Sequence, residues 1–405
     1  MLTCCKQPHG LLAGGLKALE HLFPGFGHEL EQAGAVAICP TFDVRFEFGE
    51  VDSWPRFKNN RQTYAMSRPL MERTLRRQVE RLPNLLVQDG CRVIDIIGNP
   101  NTGAATGIRY RTRGGDVKTL PADLVIDASG NGPLTLDFLK ATGRTPPEET
   151  SIGVNMRYAS AVFRDVDLKD NYKVAYTLPN APEESRGGLL MQAENGYQVF
   201  LVGRSNDSPP ISEGGFLSYA RDLPTPTIYK AIEKATRLTE IIPHSFPESR
   251  WRHFAGVPDF PRGLLPIGDA ICRFNPVYGQ GMSAAAREAS LLFDLLQRSD
   301  SDSLSMLARD FLTEAENLIA DPWAMSAIPD LVYPETTGVR PNDLEQHLNF
   351  QKGLTRLAAR DAAIFELLSD VRHLLKPLKV LEDPSIADRV KEELTSEPSL
   401  SVAAQ

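Results

Sequence analysis

Apolar side chains at Leu16, Leu19, Leu22 and Phe23 keep a helical spacing, which predicts a helix over 14–23 stopped by Pro24-Gly25. A further short turn is expected at 29–33. Strands are predicted at 36–39 and 44–48, the second placing Val44, Phe46 and Phe48 on one face by alternation. The run 69–82 reads as another helix, with Leu70, Leu75, Val79 and Leu82 on one side and Pro69 in its first turn. Between 85 and 127 the pattern is that of successive strands, punctuated by turns at 99–103 and at Gly114-Gly115-Asp116.

The segment 122–127 is short and apolar and ends abruptly in Ala128-Ser129-Gly130, as a strand buried on both faces of a parallel sheet would. From 151 to about 204 the pattern becomes alternating, for example through Tyr197, Val199 and Leu201, which predicts an antiparallel sheet. The α/β pattern returns at Gly263, and 304–394 is mostly helical. The expected architecture is an α/β domain interrupted by a β-rich domain and followed by a helical C-terminal region. Its divisions are 1–148 and 259–330 for the two parts of the α/β domain, 149–258 for the β-rich insertion and 331–405 for the helical region.

Composition narrows the class. Of the 405 residues 42% are hydrophobic and 24% charged, which excludes whole-chain disorder and suits two or three domains. The 44 basic and 52 acidic side chains leave a net charge of −8, which gives no footing for nucleic acid. No apolar run approaches the roughly 18 residues of a membrane span. Five scattered cysteines (Cys4, Cys5, Cys39, Cys91 and Cys272) point to a reducing, cytoplasmic setting rather than a disulfide framework. The Cys4-Cys5 pair reads as chemically idle, the opening residues lack a secretory pattern, and the tail 396–405 is expected to fray.

The most informative stretch is Gly263 to Ala270 followed by Pro276-Val277-Tyr278-Gly279-Gln280-Gly281-Met282. It predicts a short buried strand ending in Gly268-Asp269, a loop, and a glycine-rich turn opening a helix with Ala284, Ala285, Ala286 and Ala289 on its small faces. A carboxylate at a strand's end accepts hydrogen bonds from sugar or ribityl hydroxyls. Glycines at 279 and 281 let backbone amides come close to a flat ring, and the helix N-terminus favours negative charge beside it. That combination suits a flavin ring, whose reduced form carries charge on one edge.

These residues resemble the class A flavoprotein monooxygenases, the group with the para-hydroxybenzoate hydroxylase fold, and within it the polyketide hydroxylase and flavin epoxidase branch. The string 268–282 is similar to the family's Gly-Asp motif and its Pro-x-x-Gly-x-Gly continuation. Asp127-Ala128-Ser129-Gly130 resembles the second motif, with Ser129 replacing the more usual residue, and Ser67 to Glu72 resembles the family's Ser-Arg-x-x-Leu-Glu helix start. Weaker similarity lies at 7–12, 22–25 and 321–334. The resemblance implies a Rossmann-like FAD-binding α/β domain with an inserted antiparallel substrate domain.

It also implies an oxidoreductase in which FAD works with O2 and NAD(P)H to hydroxylate or epoxidise a small apolar organic molecule. Asp269 would anchor the ribityl chain, with Gly268 beside it. Pro276, Gly279, Gln280, Gly281 and Met282 would cradle the ring, and Arg68, Ser129 and Gly130 would hold the rest of the cofactor. Tyr278 is the candidate for a substrate-side contact. No protein acid or base is obligatory in such chemistry, so no catalytic residue is assigned.

The Gly-x-Gly-x-x-Gly turn and the acidic strand end that open this family are not found, so the Rossmann-like domain reads as incomplete. From that follows an expectation that residues 1–405 retain FAD poorly and expose unpaired apolar strand edges at 124–126 and 264–267. Two other readings remain open, a flavin-dependent polyprenyl reductase and a truncated remnant acting as a binding module. No Gly-x-Ser-x-Gly, His-Glu-x-x-His or paired Cys-x-x-Cys occurs, so hydrolase and metal chemistry have no support. His9 and His21 read as polar or capping residues, and 251–254 as a sheet edge or linker. Met156, Tyr158, Met191 and Phe200 could be either sheet core or substrate pocket.

Overall fold

The computed structural model describes residues 8–48, 51, 54–204, 207–298 and 304–395, so Cys4-Cys5 and the tail 396–405 lie outside the described residues. Strand β1 (Pro8–Leu11) leads into α1 (Ala13–Leu22) and α2 (Phe26–Gln32), then β2 (Val36–Ile38), β3 (Val44–Glu47), β4 (Thr63–Ser67) and α3 (Arg68–Glu80). A meander of β5 (Arg92–Gly98), β6 (Ala105–Arg111) and β7 (Val117–Pro121) precedes β8 (Val125–Asp127) and α4 (Leu134–Ala141). Its turns fall where Asn99 to Gly103 and Gly114-Gly115-Asp116 predicted them.

The β-rich part comprises β9 (Glu148–Arg164), β10 (Val174–Thr177), β11 (Gly187–Ala193) and β12 (Gly196–Arg204). Helices α5 (Glu213–Arg221) and α6 (Thr227–Ile232) follow, then β13 (Thr236–Arg237) and β14 (Ile242–His253). The chain continues through β15 (Leu264–Pro266) and β16 (Cys272–Arg273) into α7 (Gly281–Arg298) and α8 (Leu304–Asp330). Helices α9 (Leu344–Arg360), α10 (Ala362–Arg372) and α11 (Pro384–Thr395) close it.

The large sheet runs β16-β14-β9-β12-β11-β10-β3, with β13 also on β9. It is antiparallel except where β10 lies parallel to β3, so a strand from early in the chain completes its edge. Both β3 and β16 come from outside the span 149–258. Alternation on β12 decides what each face covers. Val199 and Leu201 pack with Phe216, Ile228 and Ile232 of α5 and α6, whereas Phe200 and Val202 join the cluster around Phe311, Ile319 and Trp323 of α8. Each large apolar side chain so buried contributes roughly 1.5–3 kcal/mol.

Three expectations need correction here. The strands at 124–126 and 264–267 are not wholly unpaired: β8 and β15 pair with each other in parallel, Leu264 against Val125 and Pro266 against Asp127, and as the two strands of their sheet each keeps one free edge. Nor is β8 buried on both faces: Leu264 and Leu265 are sealed, but Ile126 is 44% exposed. With only two strands, the parallel sheet covers one side of β8 and leaves the other open. Residues 251–253 likewise belong to no edge or linker. They end β14, between β9 and β16, with Trp251 and Arg252 buried.

Helices α1 and α7 pack against each other at unusually close range. A Cβ on Gly15 would stand 2.6 Å from the Ser283 Cβ, and one on Gly14 would stand 2.5 Å from the Leu374 carbonyl oxygen. No side chain caps α1. Instead the Gly14 amide donates to the His373 carbonyl at 2.8 Å and the Ala13 amide to His373 Nδ1 at 3.3 Å, while the Leu12 amide donates to Ser283 Oγ at 3.0 Å. The start of α1, the first turn of α7 and the end of α10 are thereby locked together.

Candidate functional site

The strand β15 ends at Pro266, and its continuation enters the turn Gly268-Asp269 beside the parallel neighbour that ends in Asp127. Gly268 takes a left-handed conformation, φ +63°, that a side chain would strain, and a Cβ added at Gly130 across the gap would stand 3.9 Å from the Asp269 Cβ. The two strand ends therefore meet at one point, and Asp269 stands between them. No hydrogen bond to its carboxylate is made by any described residue, and it opens on a cavity of about 2600 Å³. Crowding by protein atoms raises its pKa, and the nearby positive charges of Arg273 and Arg68 oppose that rise.

Of the predicted residues, Arg68, Gly130, Gly268, Asp269, Pro276, Tyr278, Gly279, Gln280, Gly281 and Met282 all line this one cavity. Ser129 does not. Its hydroxyl donates to Asp127 Oδ1 at 2.6 Å and its amide at 3.0 Å, while Asp127 Oδ2 accepts the Thr135 hydroxyl and amide at the start of α4. Ser129 therefore shapes the turn rather than reaching into the space. Arg68 opens α3, where the Ser67 hydroxyl accepts the Leu70 amide at 3.3 Å, and pairs with Glu72 at 2.6 Å.

The residues fit a flavin. A Cβ added at Gly279 or at Gly281 would meet no atom within 4 Å, so both glycines border open space into which a flat ring can come against bare backbone. The amides of 281–283, in the first turn of α7, point out of the helix with no carbonyl four residues earlier to accept them. Gln280 Oε1 is buried without a partner. Unsatisfied donors at a helix N-terminus beside an unpaired carboxylate suit a ligand with an electron-rich ring edge and a hydroxylated chain.

Several functional residues carried no signal in the sequence. Glu288, 1% exposed on α7, accepts the Gly268 amide at 2.7 Å and so holds the turn that presents Asp269. Burial pushes its pKa up to about 7, with the Asp269 charge adding to the rise and the Gly268 hydrogen bond opposing it. Asp330, at the end of α8 and fully buried, accepts from Arg204, from Asn275 Nδ2 at 2.8 Å and from the Tyr278 hydroxyl at 3.1 Å. The Arg204 guanidinium also lies 4.1 Å over the Tyr333 ring. This cluster ties the last residue of β12, the end of α8 and the loop at 275–280 into one unit. Burial lifts the Tyr278 pKa well above its usual value, so the phenol stays protonated. Nothing in the spacing of 204, 275, 278 and 330 announces their meeting.

Met156, Tyr158, Met191 and Phe200 are buried and also line the cavity, so the sheet core and the pocket wall are the same residues. The space exceeds the 300–1,000 Å³ usual for a single small ligand.

No protein-family model matches the chain. A curated Mycobacterium tuberculosis (strain H37Rv) protein, Rv3254, is 27% identical over 347 residues, which is 82% of this chain and 72% of that protein. Among solved structures, the flavin-dependent brominase Bmp2 superposes with a TM-score of 0.64 at 14% identity, covering 97% of this chain and 89% of its own. The myxobacterial chondrochloren halogenase CndH, described as FAD-dependent, gives 0.63 at 16%, with 95% and 87% covered. p-Nitrophenol 4-monooxygenase PnpA from Pseudomonas putida gives 0.60 at 16%, with 91% and 89% covered. The fold is that of the FAD-dependent monooxygenases and halogenases. Within that fold, the cavity that Asp269 lines is walled also by residues of the large sheet and of the C-terminal helices. Among the described residues, no helix is long and apolar enough to cross a membrane.

Proposed function

We propose that this chain is a flavin-dependent oxidoreductase, an FAD monooxygenase that uses O2 and NAD(P)H to hydroxylate or epoxidise a small, mainly apolar organic molecule. The observation that carries this reading is the unpartnered Asp269 carboxylate sharing one cavity with the open-sided glycines 279 and 281 and the first turn of α7. When bound, FAD would supply the hydride and oxygen chemistry. The chain's own part is to bind, orient and keep the site dry.

Asp269 would accept hydrogen bonds from ribityl hydroxyls, and the helix end at 281–283 would favour negative charge on the ring edge. Arg68, already near enough to act on the Asp269 charge, would add to that field. Glu288 keeps the Gly268-Asp269 turn in register. Tyr278 stays protonated and its hydroxyl donates a hydrogen bond to Asp330, which fixes the ring-facing loop. Apolar walls from Met156, Tyr158, Phe200 and Phe246 exclude water from the far side of the cavity.

The test is NAD(P)H oxidation and O2 uptake by the FAD-supplemented protein, screened across apolar aromatic and polyene compounds. Substrate-stimulated uptake with oxygen incorporated into product supports the reading. Reduction of a polyprenyl compound without O2 uptake would favour a reductase instead, uptake that yields a halogenated product and depends on added bromide or chloride would favour a halogenase, and absence of flavin binding would favour a non-catalytic binding module.

A further inference from the structure

One wall of the cavity lies far from the Gly268-Asp269 turn and carries polar groups that the flavin reading does not use. Phe46 on β3 and Phe48 just beyond its end stand side by side on the wall, and the Arg372 guanidinium sits 5.9 Å from each ring centroid. Tyr176, on the neighbouring β10, stacks on Phe46 with centroids 5.5 Å apart and planes 12° from parallel. All four line the cavity. Neither the Arg372 guanidinium nor the Tyr176 hydroxyl has a hydrogen-bond or ion-pair partner among the described residues.

The described acids next to this wall are committed elsewhere. Asp370, on the same helix as Arg372, is held by Arg61 at 2.7 and 2.9 Å and by Lys376 at 3.2 Å. Glu47 turns to the other side of β3, where Arg45 and the hydroxyls of Thr177, Thr225 and Thr227 engage it. Protein packing around the half-buried Arg372 pushes its pKa down to about 10, so the side chain is still charged at neutral pH. Burial likewise raises the Tyr176 phenol to about 12, which keeps it a donor. A half-buried cation without an acidic partner and a free hydroxyl on one aromatic wall can both donate to an anion that enters the cavity.

We propose that Arg372 and Tyr176, on the Phe46–Phe48 wall, form an anion-binding subsite for an organic acid, a carboxylate or phenolate on an apolar body. As the identity of a substrate this rests on the reading above; as a binding site it does not. The subsite is tied to the flavin-side helices through the next residue, since His373 accepts the Ala13 and Gly14 amides at the start of α1. An acid anchored there would leave its apolar part in the remaining cavity, walled by Tyr158, Met191 and Phe200.

The experiment titrates 1-naphthoate and the isosteric neutral 1-naphthamide into the full chain by calorimetry, with and without saturating FAD. The wild type should bind naphthoate at least about tenfold more tightly than the amide. Arg372→Met should erase that preference, Arg372→Lys should keep part of it, and Tyr176→Phe should reduce it a few-fold. Equal affinities in the wild type, no measurable naphthoate binding, or a preference that survives Arg372→Met in a folded protein would each overturn the proposal. Should Arg372→Met fail to fold, as judged by circular dichroism, the wild-type pair and Arg372→Lys decide. A charge preference in a protein that binds no FAD would sink the flavin reading and leave the subsite standing, whereas FAD binding without the preference would do the reverse.

Discussion

At the scale of single residues, the site is governed by buried charge. Asp330 is sealed from solvent with Arg204 on one side and two neutral donors on the other, and removing it leaves a guanidinium that is 5% exposed without its counter-ion. Asp330→Ala should therefore cost about 3–5 kcal/mol in denaturant unfolding, and the double change Arg204→Met with Asp330→Leu should cost clearly less. Glu288 gives a pH signature. It ionises near 4.5 in the unfolded chain and near 7 when folded, so between those values the folded chain keeps a proton that the unfolded chain has lost. Stability should fall as pH rises through that window and level off above it, by on the order of 3 kcal/mol in all. Glu288→Gln keeps an acceptor for the Gly268 amide but has nothing to ionise, so its melting temperature should vary less over the same range. A slope equal to that of the wild type would exclude Glu288 as the cause. Neither residue could have been picked from the chain, because a buried acid is recognisable only once its partners are in place, and 204, 275 and 330 are far apart in sequence.

At the scale of elements, the helices and the meander were legible because their periodicity and turn residues are local. The helix predicted at 69–82 is observed at Arg68–Glu80, and the glycine turns divide β5, β6 and β7 where expected. The burial of β8 was not legible, since a short apolar run cannot reveal how many neighbours it will have. The parallel pairing of β3 with β10 was hidden for the same reason, as it joins segments 130 residues apart, Val44 against Val174. Two glycines separate packing from binding. Gly15→Val should force α1 from α7, costing about 1–3 kcal/mol and weakening FAD binding as well. Gly281→Ala adds its methyl group to open space, so the melting temperature should hold while FAD affinity drops about tenfold or more. Equal loss of stability in both variants would mean that the 279–282 turn is ordinary packing.

At the scale of the whole molecule, the large sheet is well covered and the two-stranded parallel sheet is not. Ile126 on β8 is 44% exposed, and Val117 and Leu120 on the nearby meander are 55% and 46% exposed. Apolar surface beside free strand edges promotes association between chains. Ile126→Thr should therefore lower the average mass of residues 1–405 in concentrated solution by light scattering, and an unchanged mass would show that this edge is not where chains meet. The large cavity, by contrast, joins every predicted cofactor residue except Ser129 to the walls of the β-rich part. A site assembled from Arg68, Gly130, Asp269 and 276–282 draws on four separate stretches of chain, and only the last two are adjacent in sequence. The most direct check on the account is a titration of FAD fluorescence with the wild type and with Asp269→Ala. The account predicts saturable quenching by the wild type and a dissociation constant about 10–100-fold higher for the variant, at an unchanged melting temperature. Indistinguishable curves, or no quenching by either protein, would contradict it.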